Sequence, residues 1–577
     1  MKSYGTLAHR VIKSQPTWLL QVRPQVAIKL KRLFPRMRQD ATSVIRLSDT
    51  TEVAADLAWF MLRYPLDMDE ATRAHLEQQN AAHQAYIREI DLILGGQTRL
   101  DEFPPPARPA RDYQQTAADL AYTTGGLLLG DDVGLGKTQS AIMLLRDPAA
   151  LPALLVAPTH LTRQWLTELN VVMPHLTGHI ITRSTPFVRR RRKGVSVEVP
   201  YDTGGADVLI TTYTKLAGWR DVLAGQINTV VFDEIQDLRH YGTDKYFAAK
   251  AIADNADRRM GLSATPIYNY GGEAFNVYDI LAPGTLGTRY EFEREWGASV
   301  RPTGDIVVNE PGALGEYLRE QGLLLRRTRA DVGRELPVPV EVPLEIDSDT
   351  HATDAAMSDI VRMAELVLNG DRSERFIAAG QIDMRLRHAT GLDKAPHVAN
   401  FVKALLESER KIVLFGWHRD VYDVWLRELA DYQPAMYTGT ESPAQKHASV
   451  QRFLTDDSCR VFICSLRSGA GLNGLQDVAS VCVFGELDWS PAIHHQAIGR
   501  LARDGQDGQV VAYYLNSAVG SDPDMIGYLE VKRQQAEPFM AGDDGVLFTA
   551  QPVDLDRSKL LARTIIANAT KHTTTAA

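Results

Sequence analysis

The sequence predicts an α/β protein with two parallel-sheet domains carrying helical insertions, plus a small N-terminal domain. Two series of short apolar runs predict the sheets. The first is Ala153 to Ala157, Val208 to Thr212 and Thr229 to Phe232; the second is Lys411 to Phe415, Val461 to Cys464, Val481 to Phe484 and Val510 to Tyr514. Helical patterning separates the runs, and each ends where polar residues begin, as strands buried on both faces of a parallel sheet do. Phe103-Pro104-Pro105-Pro106-Ala107-Arg108-Pro109 cuts off the N-terminal region, because such a run cannot lie inside a helix or a central strand.

These signals divide the chain. Residues 1–103 form an accessory domain, and residues 104–340 the first sheet domain with a helical insertion. Residues 341–400 form a helical connector, residues 401–540 the second sheet domain, and residues 541–577 a polar tail with one short amphipathic stretch, Asp556 to Ala567. A chain of 577 residues has room for roughly three to five domains. No apolar run approaches the roughly 18 residues of a membrane span, so no membrane partner is expected. Cys459, Cys464 and Cys482 are odd in number and lack ligand spacing, and the 15 histidines show none either. The expectation is a reducing setting and no structural zinc. With 63 Lys+Arg against 72 Asp+Glu the net charge is -9, so nucleic-acid affinity would rest on local patches. One such patch is Lys2, Arg10, Lys13, Arg23, Lys29, Lys31, Arg32, Arg36 and Arg38, all before the first acidic residue, Asp40. It reads as a phosphate-contacting face, a solvated basic face or an acid-poor transit peptide.

The chemistry begins at Gly130-Asp131-Asp132-Val133-Gly134-Leu135-Gly136-Lys137-Thr138, between the apolar Leu127-Leu128-Leu129 and a helical segment. Gly134 and Gly136 let backbone N–H groups close around phosphates, Lys137 reaches the β/γ-phosphates, and the Thr138 hydroxyl can hold Mg²⁺. The strict pattern has Gly where Asp131 stands. The run Thr229 to Phe232 ends in Asp233-Glu234, two carboxylates with separable roles: Asp233 for Mg²⁺, Glu234 to orient and deprotonate the attacking water. An acidic strand-to-loop turn is the plain alternative. Arg500 and Arg503 stand three apart on one predicted helix face, suited to stabilising a γ-phosphate from the second domain; surface arginines in salt bridges are the alternative.

Taken together, the order and spacing of these pieces resemble helicase superfamily two, and within it the Swi/Snf-type DNA-dependent ATPases. The resemblance runs from Arg111 to about Lys532. Arg111-Asp112-Tyr113-Gln114 resembles an adenine-reading glutamine motif, and Ala157-Pro158-Thr159-His160-Leu161 with Gln164-Trp165 resembles a DNA-touching strand end. Thr211-Thr212-Tyr213 and Ser263-Ala264-Thr265-Pro266 resemble motifs that contact DNA and relay nucleotide state. Leu323-Leu324-Leu325-Arg326-Arg327-Thr328-Arg329-Ala330-Asp331-Val332 with Glu335-Leu336-Pro337 is the block most typical of the Swi/Snf branch. In the second domain Tyr437-Thr438-Gly439, Ser465-Leu466-Arg467-Ser468-Gly469 and Asp488-Trp489-Ser490-Pro491 follow. Thr390 to Pro396 and Phe415 to Arg419 are most similar to short bacterial and phage annealing-helicase members, as is Asp56 to Pro65.

The resemblance implies two RecA-like domains using ATP and Mg²⁺. Its ATP site would comprise Gln114, Asp132, Gly134, Leu135, Gly136, Lys137, Thr138 and Gln496. DNA contacts would come from Thr159, His160, Thr211, Thr212, Thr438, Gly439, Ser465, Ser468 and Trp489, and coupling from Gln236, Ser263, Ala264 and Thr265. The implied partner is double-stranded or branched DNA, the implied activity translocation with remodelling or annealing, and the implied location the cytoplasm of a bacterial cell or phage-infected host, or the nucleus in a eukaryote. The rivals are a strand-separating DNA or RNA helicase and a DNA-binding module latched by ATP without sustained turnover. Three departures stand out. Ile235-Gln236 follows the Asp-Glu pair where the family commonly has His, Gly469 to Gly474 redistributes the glycines of its motif, and Ser263-Ala264-Thr265 takes the general helicase form. Arg183 and Arg189 to Lys193 add a basic stretch that suits a duplex or a solvated loop, and His494-His495 reads as packing or solvent-facing.

Overall fold

The computed structural model describes residues 3–36, 44–132, 134–159, 161–192, 195–263, 272–300, 306–333, 339–369, 372–466, 474–489, 491–503 and 505–527. They fall into two compact units that divide between Arg327 and Thr328, with loop residues 132–135 grouped with the second.

The first unit opens with β1 (Gly5–Ile12), β2 (Gln15–Val22), α1 (Pro24–Leu33), β3 (Ile45–Ser48), α2 (Thr51–Arg63) and α3 (Glu70–Leu94). The strands form an antiparallel sheet in the order β1-β2-β3. Lys13 and Ser14 turn its first hairpin at φ 49° and 65°, the left-handed pair a two-residue turn demands. Trp18, Leu20, Leu57 and Phe60 fill its core. This domain is docked onto the insertion of the first sheet domain. Arg36 pairs with Glu295 at 2.5 Å and donates to the Thr285 carbonyl at 3.0 Å. The Tyr86 hydroxyl donates to the Gln321 carbonyl and Tyr317 to Glu52. Arg36 is therefore spent inside the unit rather than on a basic outer face.

Nor is the proline break a free linker. The buried Arg146 guanidinium donates to the Phe103 and Pro104 carbonyls at 2.7 and 2.9 Å and to Asp101 and Gln115, while Ala107 N–H donates to the Val172 carbonyl. Prolines forbid regular structure, but their carbonyls still accept, and Arg146 uses them.

The first sheet domain runs through α4 (Asp112–Thr124), β4 (Gly126–Leu129), α5 (Lys137–Met143), β5 (Ala153–Val156), α6 (Thr162–Val172), β6 (Gly178–Ile180), β7 (Phe187–Arg192), β8 (Val195–Pro200), β9 (Val208–Thr211), α7 (Leu216–Leu223), β10 (Thr229–Asp233), α8 (Asp244–Ala253) and β11 (Arg258–Leu262). Then come α9 (Glu273–Leu281), α10 (Arg289–Trp296), β12 (Gly297–Val300), β13 (Ile306–Val308), α11 (Pro311–Glu320) and β14 (Leu324–Leu325). Its sheet is parallel, in the order β14-β4-β11-β10-β5-β9-β6. Arg189 to Arg192 lie on a separate antiparallel hairpin, β7 with β8, and Lys193 lies outside the described residues.

The second unit contains β15 (Val340–Glu345), α12 (His351–Asn369), α13 (Arg372–Leu405), β16 (Ile412–Gly416), α14 (Arg419–Glu428), β17 (Ala435–Tyr437), α15 (Pro443–Thr455), β18 (Val461–Ser465), β19 (Val481–Phe484), α16 (Pro491–Ile498) and β20 (Val511–Asn516). Its parallel sheet has the order β15-β20-β19-β16-β18-β17. Two parallel sheets with covered faces are the expected architecture, and the described apolar runs lie on strands.

The connector differs from expectation. β15 is an edge strand of the second sheet, where Pro343 leaves no ladder bond unmade. The α13 helix runs through the expected boundary at 400, with Pro396 inside it, and packs Ala395, Val398, Ala399 and Val402 beneath that sheet. Apolar residues at helical spacing continue across the boundary, so the helix does too. Within Thr390 to Pro396, Lys394 forms a buried ion pair with Asp522 at 2.6 Å, and Asp393 accepts from Ala352 and Thr353 N–H at the start of α12. The tail 541–577, the segment Glu335 to Pro337 and the side chains of Arg189 to Lys193 lie outside the described residues.

Candidate functional site

In a parallel sheet the C-terminal strand ends are where loops gather polar groups. The loop after β4 turns through Gly134 and Gly136 at φ 94° and 76°. Gly136 is required twice over, since a Cβ there would also fall 2.5 Å from Gln114 Nε2. That amide points at the Gly136 carbonyl at 3.5 Å, while Gln114 Oε1 accepts from Arg111 N–H at 3.1 Å, so the buried glutamine of α4 is held against the loop. Lys137 Nζ donates back to the Asp131 carbonyl at 2.5 Å, and Thr138 follows it at the start of α5. Asp132 is half-buried and Leu135 buried.

Asp131, the departure from the strict loop pattern, has a use that glycine could not supply. Its buried carboxylate accepts from Arg327 N–H at 3.0 Å, Nε at 3.1 Å and Nη2 at 2.6 Å. Arg327 also donates to the Tyr113 carbonyl and lies over the Tyr113 ring. One guanidinium thus ties the phosphate loop to the glutamine-bearing helix.

β10 delivers Asp233 and Glu234. Trp165 Nε1–H donates to Asp233 Oδ2 at 2.8 Å, and the Tyr213 hydroxyl to the Asp233 carbonyl at 2.8 Å. Burial pushes the Asp233 carboxyl up to about 7, the Glu234 charge adds to the rise, and the Trp165 bond and the Lys137 charge oppose it. A carboxylate kept this hungry for positive charge fits Mg²⁺, and Thr138 and Asp233 are the residues that would hold it. Glu234 sits at φ 56°, a left-handed conformation costly for a residue with a side chain and characteristic of functional turns. The Gln236 amide donates to Glu234 Oε2, so where the family commonly has His, this chain keeps a donor on the Glu234 carboxylate. Ser263 is buried after β11, its N–H bonded to the Leu129 carbonyl at the root of the phosphate loop.

Other expected residues stand differently. Thr159 is exposed. Thr211 and Thr212 are buried at the end of β9, and Ser465 at the end of β18. Thr438 is buried as well, its hydroxyl donating to the Glu441 carboxylate at 2.9 Å. Strand ends covered on both faces turn these hydroxyls inward, so the expected direct phosphate contacts do not follow from their placement; Gly439 is exposed. Trp489 Nε1–H donates to Asp383 on α13 at 2.9 Å. His160, Ala264, Thr265 and Ser468 lie outside the described residues.

The arginines need a correction. Helix α16 stops at Ile498, and Arg500 and Arg503 lie on the turns that follow, where Gly499 ends the helical ladder and Arg500 and Leu501 N–H bond three residues back. The Arg500 charge opposes burial at Tyr437 and Cys464, which places it at the C-terminal ends of β17 and β18. Gln496 is on the half-exposed side of α16. Arg329 donates to the Ala502 carbonyl between the two arginines. His494 is buried against Phe484 and Tyr514, and His495 is exposed.

Asp131, Arg327, Trp165 and Tyr213 stand within the sequence motifs, but sequence reading assigns none of them its own role in the site. A Trp and a Tyr on strand-flanking segments offer a hint, because a buried indole N–H or phenol needs an acceptor.

The chain matches the SNF2-related domain over residues 31–376 and the helicase conserved C-terminal domain over residues 395–505. It belongs to the SNF2-related family. An uncharacterized ATP-dependent helicase of Mycoplasma genitalium is 24% identical over 414 residues, covering 68% of this chain and 38% of the relative. SWI/SNF-related matrix-associated actin-dependent regulator of chromatin subfamily A-like protein 1 of Xenopus tropicalis is 25% identical over 422 residues, covering 70% and 42%. Among solved structures, the Sulfolobus solfataricus SWI2/SNF2 ATPase core in complex with dsDNA matches 78% of this chain and 100% of its own, at 20% identity and TM-score 0.36. The chain spans about two-fifths of the length of these sequence relatives. In this member of the SNF2-related family, Gln236, a departure from the family, bonds Glu234, and Asp131, a departure from the strict loop pattern, bonds Arg327.

Proposed function

We propose that the chain is an ATP-dependent translocase on double-stranded DNA that hydrolyses ATP with residues of both RecA-like sheets and remodels or anneals branched DNA. The observation that carries the reading is the assembly on the first sheet, where Lys137 follows β4 and Asp233 and Glu234 end β10, one strand apart across β11, with Trp165, Tyr213 and Gln236 bonded to the acidic pair. Mg²⁺, when bound, would neutralise phosphate charge and orient the γ-phosphate. Lys137 binds the phosphates. Glu234, oriented by the Gln236 amide, takes the proton of the attacking water. Arg500 and Arg503 supply positive charge from the second sheet. DNA contacts fall mainly on the backbone, so salt dependence is strong and sequence preference weak. Similarity of Thr390 to Pro396 and Phe415 to Arg419 to annealing members supports branched DNA as the substrate.

The test is steady-state ATP hydrolysis at one salt concentration, without nucleic acid and with linear duplex, single strand, fork and RNA. Duplex or fork stimulation that Glu234→Gln lowers by roughly 10²–10⁴-fold is the expected result. Stimulation by RNA alone moves the chain to the strand-separating helicases, and the absence of turnover makes it a latch. A fork no better than linear duplex removes the branched-DNA refinement.

A further inference from the structure

A second cluster of chemistry lies in the N-terminal domain, on elements that carry none of the residues of the first site. His9 on β1, Asp49 in the turn between β3 and α2, and His75 on α3 converge on one point. His9 Nε2 and His75 Nε2 lie 2.9 and 2.8 Å from the same oxygen, Asp49 Oδ2, and all three atoms are within 4.8 Å of one another. The two imidazoles are 4.2 Å apart, centroid to centroid, and both rest on Trp18, at 5.1 and 5.3 Å.

We propose that His9, Asp49 and His75 bind a divalent first-row transition ion of the Zn²⁺ class. Two imidazole nitrogens and one carboxylate oxygen, with a further position open, are a donor set such ions take. Hard Mg²⁺ prefers oxygen ligands and suits the set poorly.

A second observation points the same way. The Asp49 side chain is 7% exposed, and its other oxygen, Oδ1, is buried without a hydrogen-bond partner. Both histidines address Oδ2, so hydrogen bonding among the three leaves Oδ1 desolvated and unsatisfied, a costly state for a carboxylate. A dication between the ligands neutralises the whole carboxylate. Bonds of about 2.0–2.2 Å in a tetrahedron set ligand atoms roughly 3.3 Å apart, so each Nε2 to Oδ2 separation has to open by only about half an ångström. The imidazoles are 23% and 27% exposed, which leaves an approach from solvent and room for water as a further ligand.

The ligands come from three elements, so the ion would pin the sheet, the β3–α2 turn and α3 together. A small core gains most from such a staple. Separations of 40 and 26 residues resemble no metal motif, which is why the sequence leads to the opposite expectation, no structural zinc.

The test uses the full chain, stripped with chelator. Zn²⁺ is titrated by calorimetry, Co²⁺ by its visible absorption, and unfolding is followed by circular dichroism, all with excess Mg²⁺ present. One equivalent bound, with the first unfolding midpoint raised by about 4–8 °C, is expected. Asp49→Asn and His75→Gln, each checked for a far-ultraviolet spectrum matching stripped wild type, should lose at least about tenfold in Zn²⁺ affinity. Wild type that takes up neither ion stoichiometrically overturns the proposal, and so do folded variants that bind as wild type does. The wild-type titration decides by itself should both variants fail to fold.

Discussion

Two buried ion pairs, one in each unit, show how the same chemistry takes on different work. Asp131 and Arg327 meet at 2.6 Å in the first unit; Lys394 and Asp522 meet at 2.6 Å in the second. Arg327 spreads its donors over the Asp131 carboxylate and the Tyr113 carbonyl, joining the phosphate loop to the helix that carries Gln114. Lys394 joins α13 to the Leu515 carbonyl at the end of β20 and to Asp522 beyond it. The planar fork of arginine links several backbone segments at once, whereas the lysine point charge fixes one helix against one strand end. The first pair therefore ties the glycine loop to the helix of Gln114, and the second holds the scaffold.

Breaking each pair separates these roles. Lys394→Met keeps the volume but leaves Asp522 as an uncompensated buried charge, so denaturant titration should show a loss of about 3–5 kcal/mol in the second unit, with ATP turnover per folded molecule unchanged. Asp131→Asn should cost about 2–3 kcal/mol in the first unit, because Arg327 keeps the Tyr113 carbonyl and ring, and should raise the KM for ATP as well. An unchanged KM would reduce Asp131–Arg327 to a second scaffold pair.

The comparison sharpens at the acidic strand end. Trp165→Phe removes the indole donor from Asp233 while keeping most of the packing, so kcat should fall by about tenfold to a hundredfold, the rate equivalent of about 1.4–2.7 kcal/mol, with little change in melting. The smallest effect belongs to the second unit. Thr438→Val loses a hydroxyl that bonds Glu441, and thermal unfolding should register about 1 kcal/mol, with DNA-free ATP turnover unaltered. A large loss of duplex stimulation in that variant would return Thr438 to the DNA contacts.

The two sheets were legible because parallel strands buried on both faces read as unbroken apolar runs. The places of the glycine loop after β4 and of Asp233-Glu234 at the end of β10 were legible because each follows directly on an unbroken apolar run. Less could be read where partners are remote. Trp165 and Asp233 are 68 residues apart, and Asp131 and Arg327 are 196 apart, so no local pattern pairs them. Arg500 and Arg503 were placed on one helix because helical spacing cannot reveal that Gly499 ends it. The boundary at 400 failed for the opposite reason: a helix carrying Pro396 can continue when its apolar side is held beneath a sheet.

The clamp of Arg146 on the proline segment bears on how the protein can be trimmed. The prolines look like a natural place to shorten the chain, yet a version beginning after them would strip the Phe103 and Pro104 carbonyls and Asp101 from a guanidinium that is 4% exposed. Gln115 alone among its described acceptors would remain. An ATPase core liberated at that point would begin life with a stranded cation in its interior, so a protease or a gene designer seeking a soluble catalytic fragment should find the apparent hinge to be part of the foundation.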